Sequence, residues 1–304
     1  MRIFLTGATG FIGAALVAEF QAAGHAVLGL ARSDAAAQRL AHAGAAVHRG
    51  SLQDLASLRA GAAVADAVVH AAFDHDFSRF AANCDSDRLA IGALGEGLAG
   101  SDRPLLVTSV VGMGSGQPGV PASEAVFNAA HPNPRQASEL AANALLQRGI
   151  NVSVLRLPQV HDPLQQGLVT PLIALARRTG VSAYVGDGSQ RWSAAHVSDV
   201  ARLYRLALQA REPGARYHAV AEEGVPLRAI AESIGRGLGL PTRPVAAPEA
   251  AAHFGWLALF AAMDLPASSR WTQASLGWQP VGPTLLADLD AARFAGGRLA
   301  GAPA

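Results

Sequence analysis

The chain has 304 residues, half of them hydrophobic and 15% charged, enough apolar material for one large α/β domain with a smaller lobe. A formal net charge of +1 with no arginine stripe excludes nucleic acid or an anionic membrane as the main partner. All 24 basic residues are arginine, so Schiff-base chemistry, a P-loop lysine and a lysine that tunes a tyrosine are excluded as well.

The segment MRIFLTGATG enters a strand and a glycine turn at once, from which we expect no signal sequence. No apolar run reaches the roughly 18 residues of a membrane span, and the single cysteine, Cys84, suits a reducing compartment. A soluble cytoplasmic protein is expected. Apolar runs predict strands at residues 2–6, 26–30, 46–49, 67–70, 105–108 and 151–157, with helices between them, as at 12–23 and 134–148. This β-α alternation predicts a doubly wound parallel sheet with ligands at the carboxyl ends of its strands. Beyond Leu157 the pattern loosens to a helix over 197–209, a strand over 216–220 and a helix over 227–238. Residues 241–283 are rich in proline and glycine and read as a lobe covering a cleft, and residues 295–304 as a frayed tail.

Gly7-Ala8-Thr9-Gly10-Phe11-Ile12-Gly13 stands between the first strand and the first helix. Gly7 permits the tight turn, Gly10 lets the backbone approach a pyrophosphate, and Gly13 lets helix and strand pack closely. Dinucleotide binding is expected there. The second strand ends in Ala31-Arg32-Ser33, with no acidic side chain for a ribose diol, whereas Arg32 and Ser33 suit a 2′-phosphate. NADP(H) is therefore expected over NAD(H), the alternative being a solvated Arg32 beside Asp34.

Further motifs follow in order: Asp54, Val69-His70-Ala71-Ala72, Thr108-Ser109, Arg156-Leu157-Pro158, Gly186-Asp187-Gly188 with Arg191, and His196-Val197-Ser198-Asp199-Val200-Ala201. With them the chain resembles the extended branch of the short-chain dehydrogenase/reductase superfamily, the NAD(P)-dependent epimerase/dehydratase-like proteins. The resemblance implies an α/β fold: a Rossmann-type doubly wound parallel sheet with a smaller C-terminal substrate-covering lobe. It places the dinucleotide domain at 1–160, with 190–222 returning to it, and the lobe at 161–189 and 223–304. It implies cofactor contacts from Thr9, Phe11 and Ile12 in the turn, from Ser51 and Leu52 at the adenine, and from Ala71, Ala72, Phe73 and Thr108. Leu157, Pro158 and Gln159 would stand at the nicotinamide.

The family's catalytic set is a serine or threonine followed by Tyr-x-x-x-Lys. Ser109 occupies the serine position, but in Pro134-Arg135-Gln136-Ala137-Ser138-Glu139 an arginine stands for the tyrosine and Glu139 for the lysine. Arginine stays protonated and is a poor general acid. Arg135 and Glu139 form an exposed i,i+4 helix pair, or Arg135 faces cofactor and substrate. Other proton donors are His161, oriented by Asp162, and Tyr184, in the loop before Gly186. His161 reads more readily as a loop histidine bonding backbone, and Tyr204 and Tyr217 read as core. Phe73 and Asp74 lie where substrate is expected, and Arg191 and Trp192 would line its other side. The run Phe73-Asp74-His75-Asp76-Phe77 resembles a metal-ligand set but reads better as a solvated loop, so no metal is expected.

These residues together predict an NADPH-dependent reductase of a small, largely apolar aldehyde, ketone or imine. The alternatives are a non-catalytic NADP(H)-binding regulator or scaffold and, third, a sugar-nucleotide epimerase or dehydratase. A homodimer through the helices near 89–98 and 137–146 is expected from their small and apolar residues.

Overall fold

Strand β1 (Arg2–Thr6) buries Ile3, Phe4 and Leu5 completely, as a strand covered on both faces must. It leads through α1 (Phe11–Ala22), β2 (Ala26–Ala31), α2 (Asp34–His42), β3 (Ala46–Arg49) and α3 (Leu55–Ala63) to β4 (Ala67–His70). Then come α4 (Phe80–Glu96), β5 (Leu105–Val110), α5 (Gln136–Gln147) and β6 (Val152–Leu157). The chain continues with β7 (Gln159–His161), α6 (Val169–Thr179), β8 (Ser182–Val185), β9 (Arg191–His196), α7 (Val197–Ala210) and β10 (Arg216–His218). It closes with β11 (Glu222–Pro226), α8 (Leu227–Leu238), β12 (Thr242–Val245), α9 (Ala250–Phe254), α10 (Ala258–Ala261), α11 (Arg270–Leu276) and α12 (Leu285–Ala291). This computed structural model describes residues 1–117 and 119–292. The expected tail at 295–304 lies outside the described residues.

Two units emerge. The first holds Met1–Pro158, Val197–Val220 and Ala267–Val281. Its seven strands run parallel in the order β10-β6-β5-β4-β1-β2-β3, the Rossmann-type sheet. Strand order reverses between β1 and β4, so the connections leaving these two strands diverge and open a crevice at their carboxyl ends. Phe4, Leu58, Leu94 and Leu105 lie among the helices α3 and α4 and the sheet, each fully buried. Each contributes roughly 1.5–3 kcal/mol of hydrophobic stabilisation. Gly61 of α3 sits so close to the Phe4 ring that a Cβ would stand 2.4 Å from it.

The second unit holds Gln159–His196, Ala221–Pro266 and the described residues from Gly282 on. It contains a three-stranded sheet, β11-β9-β7, and a parallel pair, β12-β8. Its core gathers Leu172, Ile173, Trp192, Ile230, Phe254 and Leu285. The five strands of this unit were not expected from the sequence: each is broken by polar residues, glycine or proline, so none stands out as an apolar run. The boundaries also differ from those expected. Residues 159–160, 190–196 and 221–222 belong to the second unit and 267–281 to the first, where Trp278, fully buried, donates its indole N–H to the Asp199 carbonyl at 3.0 Å. No helix among the described residues is long and apolar enough to cross a membrane.

Candidate active site

The turn after β1 is shaped by its glycines. Gly7 has φ +72°, and a Cβ there would lie 2.8 Å from the backbone of Ala71 and Ala72. A Cβ on Gly13 would stand 1.9 Å from the Gly7 carbonyl oxygen. Gly10 caps α1 without a side-chain bond, and the first bond of the helix runs from the Ala14 amide to the Gly10 carbonyl. The amides of Thr9, Phe11, Ile12 and Gly13 therefore surround a helix start that offers N–H groups and a positive dipole end. This cradle, whose close approach only glycine at positions 7 and 13 permits because a Cβ at either would strike backbone, fits a dinucleotide pyrophosphate. When bound there, the nicotinamide dinucleotide supplies the hydride.

At the end of β2, Ala31 is buried and Arg32 exposed. Ser33 does not stand free: its Oγ accepts the Ala36 amide as the cap of α2. Asp34 turns to Arg49, 2.7 Å away, so its charge is directed at β3 rather than at Arg32. Ser51 and Leu52 follow β3 half-buried, and Asp54 caps α3 through the Ser57 amide.

Beside the glycine turn a buried polar chain runs across the strand ends. The Ala72 amide donates to Thr6 Oγ1 (3.2 Å), which pairs with His70 Nδ1 (2.8 Å). A carboxylate only accepts, so His70 Nε2 carries the hydrogen shared with Asp87 Oδ1 (2.9 Å). Asp87 Oδ2 accepts from Arg135 Nη1 (2.6 Å) and Ser138 Oγ (2.6 Å), and Arg135 also donates to Ser138 and to the Thr108 carbonyl (3.0 Å). The guanidinium lies 4.0 Å over the Phe73 ring. Burial pushes the Asp87 carboxyl up, but the charges of Arg135 and His70 and the hydrogen bonds outweigh it and hold the group well below the usual carboxylate range. Thr108 Oγ1 pairs with Tyr204 (2.6 Å), whose fully buried hydroxyl is pushed up by that burial.

A second buried network lies next to it. Glu139 pairs with Arg156 through two bonds of 2.8 Å and with Arg216 at 3.2 Å. It also accepts the Ser109 hydroxyl at 2.7 Å. Arg156 reaches His218 Nε2 (3.1 Å), and burial lowers His218 to about 3.

These networks correct two expectations. Arg135 and Glu139 are not an exposed pair: they are 5% and 0% exposed, and each carries its own partner from elsewhere in the chain. Ser109 does not present its hydroxyl outward. It is fully buried, because a carboxylate in place of a lysine accepts the O–H and draws it inward.

In the second unit, Trp192 is 1% exposed and belongs to the core rather than to a substrate wall, its large ring being needed against Val225 and Leu285. Tyr184 lies on β8 instead of in a loop, buried, with Arg228 5.9 Å over its ring. Arg191 pairs with Asp264 at 2.7 Å. Gln159 accepts the Leu168 amide, and Asp162 turns away from His161 to cap the amides of Leu164 and Gln165. The partner of His161 is Asp288, at 2.6 Å. Leu157 and Pro158 end the sheet half-buried, as do Ala71, Ala72 and Phe73, whereas Asp74 is exposed and accepts the Asp76 amide. Among the described residues, no His, Cys, Asp and Glu side chains gather as a metal set. The buried Cys84 thiol is pushed up to about 11 by burial, which makes it a weak nucleophile.

A model of the NAD dependent epimerase/dehydratase family matches residues 3–91, which carry the glycine turn and β1 to β4. The uncharacterized protein C2A9.02 of Schizosaccharomyces pombe is 44% identical, across 95% of this chain and 98% of its own length. The chain belongs to the NAD dependent epimerase/dehydratase family. A 4-hydroxy-2-methyl-3-oxo-4-farnesyl-3,4-dihydroquinoline-1-oxide ketoreductase of Stigmatella aurantiaca is 28% identical over 88% of this chain and 84% of its own. DesIV, a dTDP-glucose 4,6-dehydratase of Streptomyces venezuelae solved with NAD bound, shares the fold with a TM-score of 0.76 over 96% of each chain, at 20% identity. Arg135 and Glu139, which the sequence reading set at the family's tyrosine and lysine positions, are held instead in two inward-facing ion pairs. Sequence reading missed Asp87, Asp288 and Glu222; each has a second acidic residue close by in its own element, Asp85, Asp290 and Glu223, so nothing in the sequence singled it out.

Proposed function

We propose that this protein is an NADP(H)-binding reductase that transfers hydride to a small, largely apolar carbonyl or imine compound. One observation carries the reading: the glycine turn is intact while Arg135 and Glu139, which we read as standing at the family's tyrosine and lysine positions, are held in buried ion pairs. Hydride exchange with a bound nicotinamide needs the cradle; proton abstraction from a sugar ring needs a base of tyrosine strength, for which Arg135 is no substitute. Preference for the phosphorylated cofactor rests on exposed Arg32, with Asp34 committed to Arg49. An imine arriving as an iminium needs a weaker acid than a ketone does, which suits a site without tyrosine. The ketoreductase relative supports the carbonyl option.

The test is consumption of NADPH against a panel of aldehydes, ketones and cyclic imines. Reduction of members of this panel, with sugar nucleotides inert, is the expected result. A second reading, a cofactor-binding regulator without turnover, is favoured by one fact: the Ser109 hydroxyl donates to buried Glu139, which leaves it no proton for a substrate. Tight NADPH binding with no reduction of any panel member would select it and end the reductase reading.

A further inference from the structure

His161 on β7 is fully buried, and its two ring nitrogens are treated differently. Nδ1 lies 2.6 Å from Asp288 Oδ2 on α12; a carboxylate accepts only, so Nδ1 carries the hydrogen. Nε2 is buried without a hydrogen-bond partner, 3.9 Å from Glu222 Oε2 on β11. A buried nitrogen left without a partner requires an explanation. With a proton on neither group, a lone pair would face a carboxylate; one proton between them removes that repulsion.

The surroundings favour such a proton. His196 on β9 stands edge-on to His161, with ring centres 5.8 Å apart, and its Nε2 is 3.8 Å from Asp288 Oδ2. Asp162 follows His161 in the chain. Glu222 accepts the Leu285 amide at 2.7 Å, and its side chain keeps 23% of its exposure, enough for exchange with water. Burial lowers His161 against the opposing pull of Asp288, while burial raises Glu222 with a smaller push from the Asp288 charge. The two groups, ordinarily about two units apart, are thus brought together.

We propose that Glu222, His161 and Asp288 hold one exchangeable proton, shared between His161 Nε2 and Glu222 Oε2 and taken up as pH falls.

Nitrogen NMR of the full chain labelled at histidine tests the storage without a substrate. Expected is a His161 Nδ1 that stays protonated from pH 5 to 9 while Nε2 titrates within that range. In Glu222→Gln the titration of Nε2 should move down by about one unit or more, since the carboxylate that favours the proton is gone. A His161 that does not titrate in the native protein, or one that titrates identically in Glu222→Gln, overturns the proposal.

Discussion

Arg135 and Glu139 put two opposite charges one helical turn apart, yet the chain separates them. Asp87 receives Arg135, and Arg156 receives Glu139, each pair almost without solvent. An exposed i,i+4 pair would be worth a few tenths of a kcal/mol, whereas removing one partner of a buried pair costs about 3–5 kcal/mol. Arg135→Met should therefore destabilise the protein by that larger amount, as read from urea denaturation. Adding Asp87→Asn should recover part of the loss, because the uncompensated charge is removed. A loss within about 0.5 kcal/mol for Arg135→Met would show that the pair contributes no more than an exposed one. His218 carries the pH dependence of the neighbouring network. Burial lowers it from 6.5 to about 3, so the unfolded chain binds the proton first as pH falls. Stability present above pH 6.5 should thus decline steadily toward pH 3. In His218→Gln, which can still accept from Arg156, urea midpoints at pH 7.5 and pH 5 should lie closer together than in the native protein.

At the scale of elements, the turn between β1 and α1 separates folding from binding. Gly13→Ala drives a Cβ into the Gly7 carbonyl at 1.9 Å and should cost at least 1–3 kcal/mol, as overpacking does. Gly10→Ala meets that same oxygen at only 3.2 Å, so stability should change by less than about 1 kcal/mol. Its methyl would still occupy the approach of the pyrophosphate, and calorimetric titration should show NADPH binding weakened about tenfold or more. The end of β2 makes a third test: Arg32→Ala should bring NADPH and NADH affinities together, and a native protein that binds both equally would refute the preference. These features were legible in the sequence because each depends on neighbours within a few residues. Gly7, Gly10 and Gly13 act within one turn, and β1, β4 and β5 are buried strands that read as unbroken apolar runs. The partners of Arg135 and Glu139 were not legible. Asp87 lies 48 residues from Arg135, and Arg156 lies 17 from Glu139, so only the pairing of whole elements brings them together. The same holds for Asp288, 127 residues from His161, which the adjacent Asp162 displaced in the sequence reading.

For the whole molecule, α4 and α5 pack side by side, and each still exposes a leucine, Leu89 at 48% and Leu140 at 39%. We expect these helices to pair with those of a second copy, so light scattering at micromolar concentration should give twice the monomer mass. Leu89→Glu with Leu140→Glu should return it to the monomer; a native monomer would rule the dimer out. The division of the chain has a separate consequence for its synthesis. The first unit is not written in one stretch: its last strand, β10, comes after most of the second unit's sheet, and Trp278 comes later still. While the ribosome makes residues 159–215, β6 therefore stands as an unpaired edge of an otherwise complete sheet. At about 5–20 residues per second that interval lasts several seconds. An open edge of six residues, five of them buried in the finished protein, is a template for pairing with another nascent chain. Strand β10 then acts as more than a seventh strand: its arrival closes the edge against pairing with another chain.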